Sequence, residues 1–191
     1  IRTVDMSAVT GATGNTLDVS EFTGTDAITL IGSTGKDIIT GGAGGDTLTG
    51  SGGVDSFVIG AHTLVAGEID FANLDSITDL GADDFLTMGG NSAGATPASS
   101  IDVATATLDI TTGGNATLLA AIQAGITAET GAAKAGYLFT VTNSDSSLAG
   151  SAGTYAVFNV ASDNTFDSAT DFIVKLTGTS ALTIAAQFDV A

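Results

Sequence analysis

Apolar residues in the first third of the chain come in short alternating runs rather than in the long stripes of a helix. VDMSAV (Val4 to Val9), TLDVSEF (Thr16 to Phe22) and AITLI (Ala27 to Ile31) are separated by the turn-forming TGATGN and TGTD, a pattern of brief, half-buried strands. The alternation then becomes periodic. Ile39, Leu48 and Phe57 recur every nine residues, each two places after an aspartate, Asp37, Asp46 or Asp55. They sit in three contiguous nonapeptides, GSTGKDIIT (Gly32 to Thr40), GGAGGDTLT (Gly41 to Thr49) and GSGGVDSFV (Gly50 to Val58), all of the form G-x-x-G-x-D-x-apolar-x. Such a period predicts stacked strand-and-turn units. Each strand turns its apolar side chain inward, because strand neighbours alternate faces.

After Phe57 the pattern changes. LDSITDLGADDFLTM (Leu74 to Met88) leads through an acidic turn into a strand, and a Gly, Ser and Ala-rich stretch holding Pro97 (Gly89 to Ser100) reads as a loop. IDVATATLDITT (Ile101 to Thr112) alternates as a strand does. In ATLLAAIQAGIT, Leu118, Leu119, Ile122 and Ile126 fall at helical spacing, with Asn115 as the expected N-cap. YLFTVTN (Tyr137 to Asn143), TYAVFNV (Thr154 to Val160), DFIVKLTG (Asp171 to Gly178) and SALTIAAQFDVA (Ser180 to Ala191) complete the strands. The expected fold is mainly β: a right-handed parallel solenoid over residues 1–60, then a mostly antiparallel β cap with one short helix over residues 61–191.

The nonapeptide spacing has a chemical reading. Calcium takes six to eight oxygens at roughly 2.3 to 2.6 Å from carboxylates and carbonyls, and glycines let a loop turn its carbonyls inward. Asp37, Asp46 and Asp55, with the loop positions Gly32, Thr34, Gly41, Ala43, Gly50 and Gly52, form the expected donor set. Successive nonapeptides lie on opposite sides of a flattened coil, so an ion belongs between loops two repeats apart. Asp37 is expected to share one with the loop of Asp55. The loop of Asp46 is expected to look back to EFTGTDAIT (Glu21 to Thr29), a poorer site that keeps Gly24, Asp26 and Ile28 before Leu30 and Ile31 break the nine-residue step.

These three frames resemble the RTX (repeats in toxin) family. The resemblance implies a calcium-bound parallel β-roll and type I secretion from a Gram-negative bacterium, guided by an uncleaved C-terminal signal. Asp75, Ser76, Ile77, Thr78 and Asp79 resemble the segment that often follows such repeats, with Leu80 where the family has Phe. Calcium ligation by Asp75 and Asp79 and plain solvated acids both satisfy that spacing. Asn159 to Gly178 is similar to an acidic, EF-hand-like turn near the end of family members; Asp163, Asp167 and Asp171 keep acids there, while Asn164 replaces the usual glycine. An Asx-rich hairpin turn is the competing reading. The final QFDVA resembles the acidic and apolar ends of type I substrates, against a simple closing strand.

Composition narrows the function. There are 21 Asp and Glu against four cations, Arg2, Lys36, Lys134 and Lys175, for a formal net charge of -17. Nucleic acid is excluded as a partner, because phosphate binding needs clustered Lys and Arg. Charged residues are 13% of the chain against about 25% in ordinary soluble domains, which leaves an extracellular-looking surface of Thr, Ser, Asn, Gly and Asp. No cysteine is present, so disulfides and thiolate chemistry are absent and calcium is the available staple. No apolar run is long enough for a transmembrane helix. The start at Ile1, in mid-pattern, reads as the C-terminal part of a longer protein.

No enzyme is expected. The single His62 cannot build the usual zinc sets, no nucleophile elbow accompanies it, and Tyr137 and Tyr155 sit in strand patterns. The expected function is a calcium-binding region of a secreted, cell-surface structural protein of the surface-layer or fibre kind. It folds on calcium after export through its C-terminus and self-associates into a lattice or filament. The alternative is the secretion and folding module of an RTX exoenzyme, such as a serralysin-type protease or lipase, or of a toxin.

Overall fold

The computed structural model describes residues 2–11, 13–60, 68–88, 103–110, 117–128, 136–143, 152–159, 165–167, 170–178 and 188–189. Eight short strands come first: β1 (Arg2–Asp5), β2 (Thr16–Asp18), β3 (Ile28–Ile31), β4 (Ile38–Thr40), β5 (Thr47–Thr49), β6 (Ser56–Ile59), β7 (Ser76–Ile77) and β8 (Phe85–Met88). Odd and even strands join different sheets. β1, β3, β5 and β7 pair in that order in one, β2, β4, β6 and β8 in the other, every pairing parallel. Parallel neighbours need a crossover connection. Here the crossover is two loops and one strand of the opposite sheet.

Register puts the apolar position of each strand in one column per sheet. Leu17, Ile39, Phe57 and Leu86 are successive partners in one, and Leu30, Leu48 and Ile77 in the other. Both columns belong to a single buried cluster, so the sheets face each other across it. Ile39, Leu48 and Phe57 have no exposed surface, as the nine-residue pattern predicts. Several outward positions are hydroxylic and bond along the ladder, Thr49 to Thr78 at 2.7 Å and Ser56 to Thr87 at 2.9 Å. Because β7 and β8 continue the same sheets, the boundary expected at residue 60 falls inside one continuous pair of sheets.

The remaining elements are β9 (Val103–Ile110), α1 (Leu118–Ala128), β10 (Gly136–Asn143), β11 (Gly153–Phe158), β12 (Phe172–Leu176) and β13 (Phe188–Asp189). β10, β11 and β12 are antiparallel neighbours, but β9 pairs parallel to β10. Two of the three pairings among β9 to β12 are thus antiparallel, as expected, and one is parallel: α1 between β9 and β10 supplies the helical crossover that a parallel pair requires. β12 pairs parallel to β7 and β13 parallel to β8, so each sheet is extended by a strand from far along the chain.

Alternate residues of β11 serve two cores. Ala156 and Phe158 join the cluster between the facing sheets, while Tyr155 and Val157 pack with Tyr137, Phe139, Ile122 and Ile126 under α1. The helix is capped two residues after the expected position. Thr117 Oγ1 accepts a hydrogen bond from Ala120 N at 3.1 Å, the arrangement of an N-cap, whereas Asn115 lies outside the described residues. Pro97 with its loop, His62, Lys134 and the sequence from 180 to 187 lie outside them too. Among the described residues no helix is long and apolar enough to cross a membrane.

Candidate metal centre

Strands β2 to β8 are each entered through a short loop, glycine-bearing except at 70–75, and loops two strands apart stack into two columns. One holds residues 10, 11, 13–15, 32–37, 50–55 and 79–84; the other 23–28, 41–46 and 70–75. Strand register aligns Asn15, Asp37, Asp55 and Asp84 in the first, and Ile28, Asp46 and Asp75 in the second. Every aspartate at these aligned positions accepts, on Oδ1, the backbone N–H of the aligned residue before it in the column. Asn15 N donates to Asp37 at 2.6 Å, Asp37 N to Asp55 at 2.8 Å and Asp55 N to Asp84 at 2.9 Å. Ile28 N donates to Asp46 at 2.8 Å and Asp46 N to Asp75 at 2.9 Å.

The second carboxylate oxygen turns back into its own loop. Gly42 N donates to Asp46 Oδ2 at 2.6 Å and Gly81 N to Asp84 Oδ2 at 2.7 Å, and Ser33 N does the same for Asp37. Asp37, Asp46, Asp55 and Asp84 are all buried, where an uncompensated carboxylate is costly. Asp37 is compensated. Burial works to raise its pKa, but N–H groups and side chains of Ser33 and Asn15 more than offset this and hold it below the usual carboxylate value. Asp55 is not: burial first, then repulsion from Asp84, Asp37 and Asp79, pushes it up to about 6 against the pull of the Asp37 N–H. Asp75 is pushed up to about 7 by burial and by Asp46, despite the N–H that Asp46 donates.

Oxygens converge where the first glycine of each nonapeptide leaves room. A Cβ on Gly41 would lie 2.8 Å from Asp46 Oδ2 and 3.1 Å from Asp75 Oδ2. On Gly32 it would lie 2.6 Å from Asp37 Oδ2 and 2.6 Å from the Gly50 carbonyl oxygen, and on Gly50 it would meet Asp55 Oδ2. Each cradle thus combines the loop's own aspartate with, at Gly32 and Gly41, an oxygen from the next loop in the column. Loop contact is equally close elsewhere: Gly53, at φ 121°, sits against the Gly35 carbonyl where a side chain would not fit. Among the described residues no three His, Cys, Asp or Glu side chains gather into one group. An ion here would draw on one or two carboxylates and on backbone carbonyls. That donor set suits calcium, a hard cation with flexible oxygen coordination.

The candidate residues divide accordingly. Asp37 and Asp55 lie in adjacent loops, as their spacing implies. Gly32, Gly41 and Gly50 border the cradles, Gly52 stacks on the earlier loop through Gly52 N to Ser33 O at 3.2 Å, and Thr34 and Ala43 are exposed. Asp26 is not across from Asp46. Ile28 holds that place, Leu30 faces Leu48, and the exposed Asp26 carboxylate approaches Arg2 at 4.0 Å. The nine-residue step therefore runs unbroken from Ile28, because Leu30 rather than Ile28 fills the interior column.

Asp75 meets Asp46. Asp79 acts differently, because its two oxygens accept Gly50 N and Ser51 N, both at 2.8 Å, at a turn where Ser51 has φ 75°. Asp84 is a loop aspartate that the sequence pattern did not single out. DFANLDSIT (70–78) and DLGADDFLT (79–87) keep the sixth-position aspartate and eighth-position apolar residue, with aspartate in place of the first glycine, so the step from Asp75 to Asp84 was the signal. In the cap, Asp171 is buried and accepts Asp167 N on Oδ2 at 2.8 Å, closing its own turn; Asp163 lies outside the described residues. No family model matches this chain, and no curated protein or solved structure matches it either.

Proposed function

We propose that the facing sheets form a right-handed parallel β-roll of the RTX type, whose loop columns bind calcium. On this reading the chain is the calcium-binding C-terminal region of an extracellular structural protein, of the surface-layer or fibre kind, which folds after type I export and assembles with copies of itself. The observation that carries the calcium reading is the pair of cradles at Gly32 and Gly41, where buried aspartate oxygens meet an oxygen of the next loop beside a missing Cβ. Asp37 with the loop of Asp55, and Asp46 with Asp75, would hold the ions. Bound calcium supplies the positive charge that offsets carboxylate repulsion there. Sites of the extracellular class bind at roughly 0.1 to 1 mM, which leaves the loops open inside a cell and closed outside.

Assembly rather than an appended catalytic domain is supported by the rungs before Gly32. They keep both sheets while carrying Asn15 and Ile28 at the aspartate position, so architecture continues where the metal chemistry stops. Electron microscopy of the protein in calcium and after chelation tests this. Lattices or filaments that need calcium are expected. A monomer in both states removes the structural reading and leaves the exoenzyme module, and a circular dichroism spectrum indifferent to calcium removes the metal.

A further inference from the structure

We propose that the site shared by Asp46 and Asp75 controls docking of the cap, while the site of Asp37 and Asp55 does not; this rests on the calcium reading above. Asp75 faces two ways. Its carboxylate takes Asp46 N on Oδ1 and converges with the Asp46 carboxylate beside Gly41. Its carbonyl accepts Lys175 N at 3.0 Å, the first hydrogen bond between β7 and the cap strand β12. One residue therefore belongs to a metal loop by its side chain and to the cap seat by its backbone.

β7 has two residues, and both are paired on both sides. Ser76 lies between Thr47 and Lys175, and Ile77 between Leu48 and Leu176. Thr177 N closes the seat on Ile77 O at 2.9 Å, and Gly178 packs against the Thr78 carbonyl. A strand this short cannot hold its position alone. What fixes it ahead of Ser76 is the approach of loop 70–75 to loop 41–46, where the half-buried Asp75 carboxylate faces the buried Asp46 carboxylate. Without a cation they repel, β7 loses its register, and β12 loses its parallel partner. The site of Asp37 and Asp55 lies a rung further from the cap: its strands β4 and β6 pair with β2 and β8 rather than with β12, and the cap reaches that sheet only through β13 on β8.

Hydrogen exchange on the full chain, titrated with calcium chloride and with magnesium chloride as control, separates the two sites. The amides to follow are Lys175 and Thr177 for the cap seat, and Ser56, which donates to Asp37 O at 2.8 Å, for the other column. With free calcium at ten times its dissociation constant, protection of all three is expected to rise about tenfold. Asp75→Asn should abolish the rise at Lys175 and Thr177 and keep it at Ser56; Asp37→Asn should do the reverse. A full calcium response at Lys175 in Asp75→Asn, or its loss in Asp37→Asn, overturns the proposal. If no amide of the unsubstituted chain responds to calcium, the calcium reading falls first and takes this one with it.

Discussion

Strands β4 and β5 each bury a single side chain, Ile39 or Leu48, whereas β12 buries four of its five residues. They share one fold, yet they are held by different forces. In the cap, Tyr137 stacks on Phe139 at 5.3 Å, α1 covers one face and the facing sheet covers the other, so apolar burial on both sides stabilises it. In the stacked parallel strands, each nine-residue unit orders many backbone torsions around few apolar side chains, and the deficit falls to loop hydrogen bonds and to the charge state of buried aspartates. Holding the stack together is thus a matter of solution conditions. Closing the cap is a matter of sequence.

The sharpest way to break that contrast is to remove a core residue of the stacked strands. Phe57 is fully buried among Ile39, Leu86 and Leu48, and Phe57→Ala should cost about 3–5 kcal/mol. Urea unfolding should lose the roll transition while amides of β10 and β11 keep their protection; simultaneous loss of both would show one material, not two. Gly41→Ala comes next. A methyl there occupies the space between Asp46 Oδ2 and Asp75 Oδ2, and calorimetry should find calcium bound at least tenfold more weakly, about 1.4 kcal/mol, with the apolar cap intact.

A change of pH sharpens the same comparison without a substitution. Asp55 and Asp75 have folded-state pKa values of about 6 and about 7, above the ordinary value of about 3.9 that they take when unfolded. Their contribution to the metal-free fold is therefore complete below about pH 4 and is lost as pH rises through 6 and then 7. Metal-free melting temperature should fall from pH 5 to pH 8. Calcium affinity should rise over the same interval, since the ion displaces the protons. A metal-free roll indifferent to pH would mean that the aspartates are compensated within the protein.

Much of this was legible in the sequence wherever one residue type serves a single purpose. Ile39, Leu48 and Phe57 announced the interior columns, and Asp37, Asp46 and Asp55 the loops, because period and chemistry agreed. The errors arose where they parted. Asp26 looked like a repeat aspartate, yet the interior column selects Leu30, two places later than that frame allowed, and packing outweighed a matching acid. Asp84 was hidden because aspartate replaces glycine at positions 70 and 79, although the spacing of Asp75 and Asp84 kept the period. The parallel pairing of β9 with β10 was not visible in either strand: it follows from the helix between them.

The smallest effect tests the cap alone. Thr117 caps α1 through its hydroxyl, and Thr117→Ala should cost about 1 kcal/mol. Among the described residues the helix packs in the cluster with Tyr137, Phe139, Tyr155 and Ile173, which reaches Ile69 and Leu74 beside Asp75 but includes no residue of the loops of Asp37 and Asp46. Thermal unfolding of the cap should therefore drop by the same amount with calcium and with chelator, and the calcium midpoint of the Ser56 amide should stay where it was. A loss that calcium restores would mean that the helix is coupled to the loop columns, and the division between the stacked strands and a packing-held cap would have to move past α1.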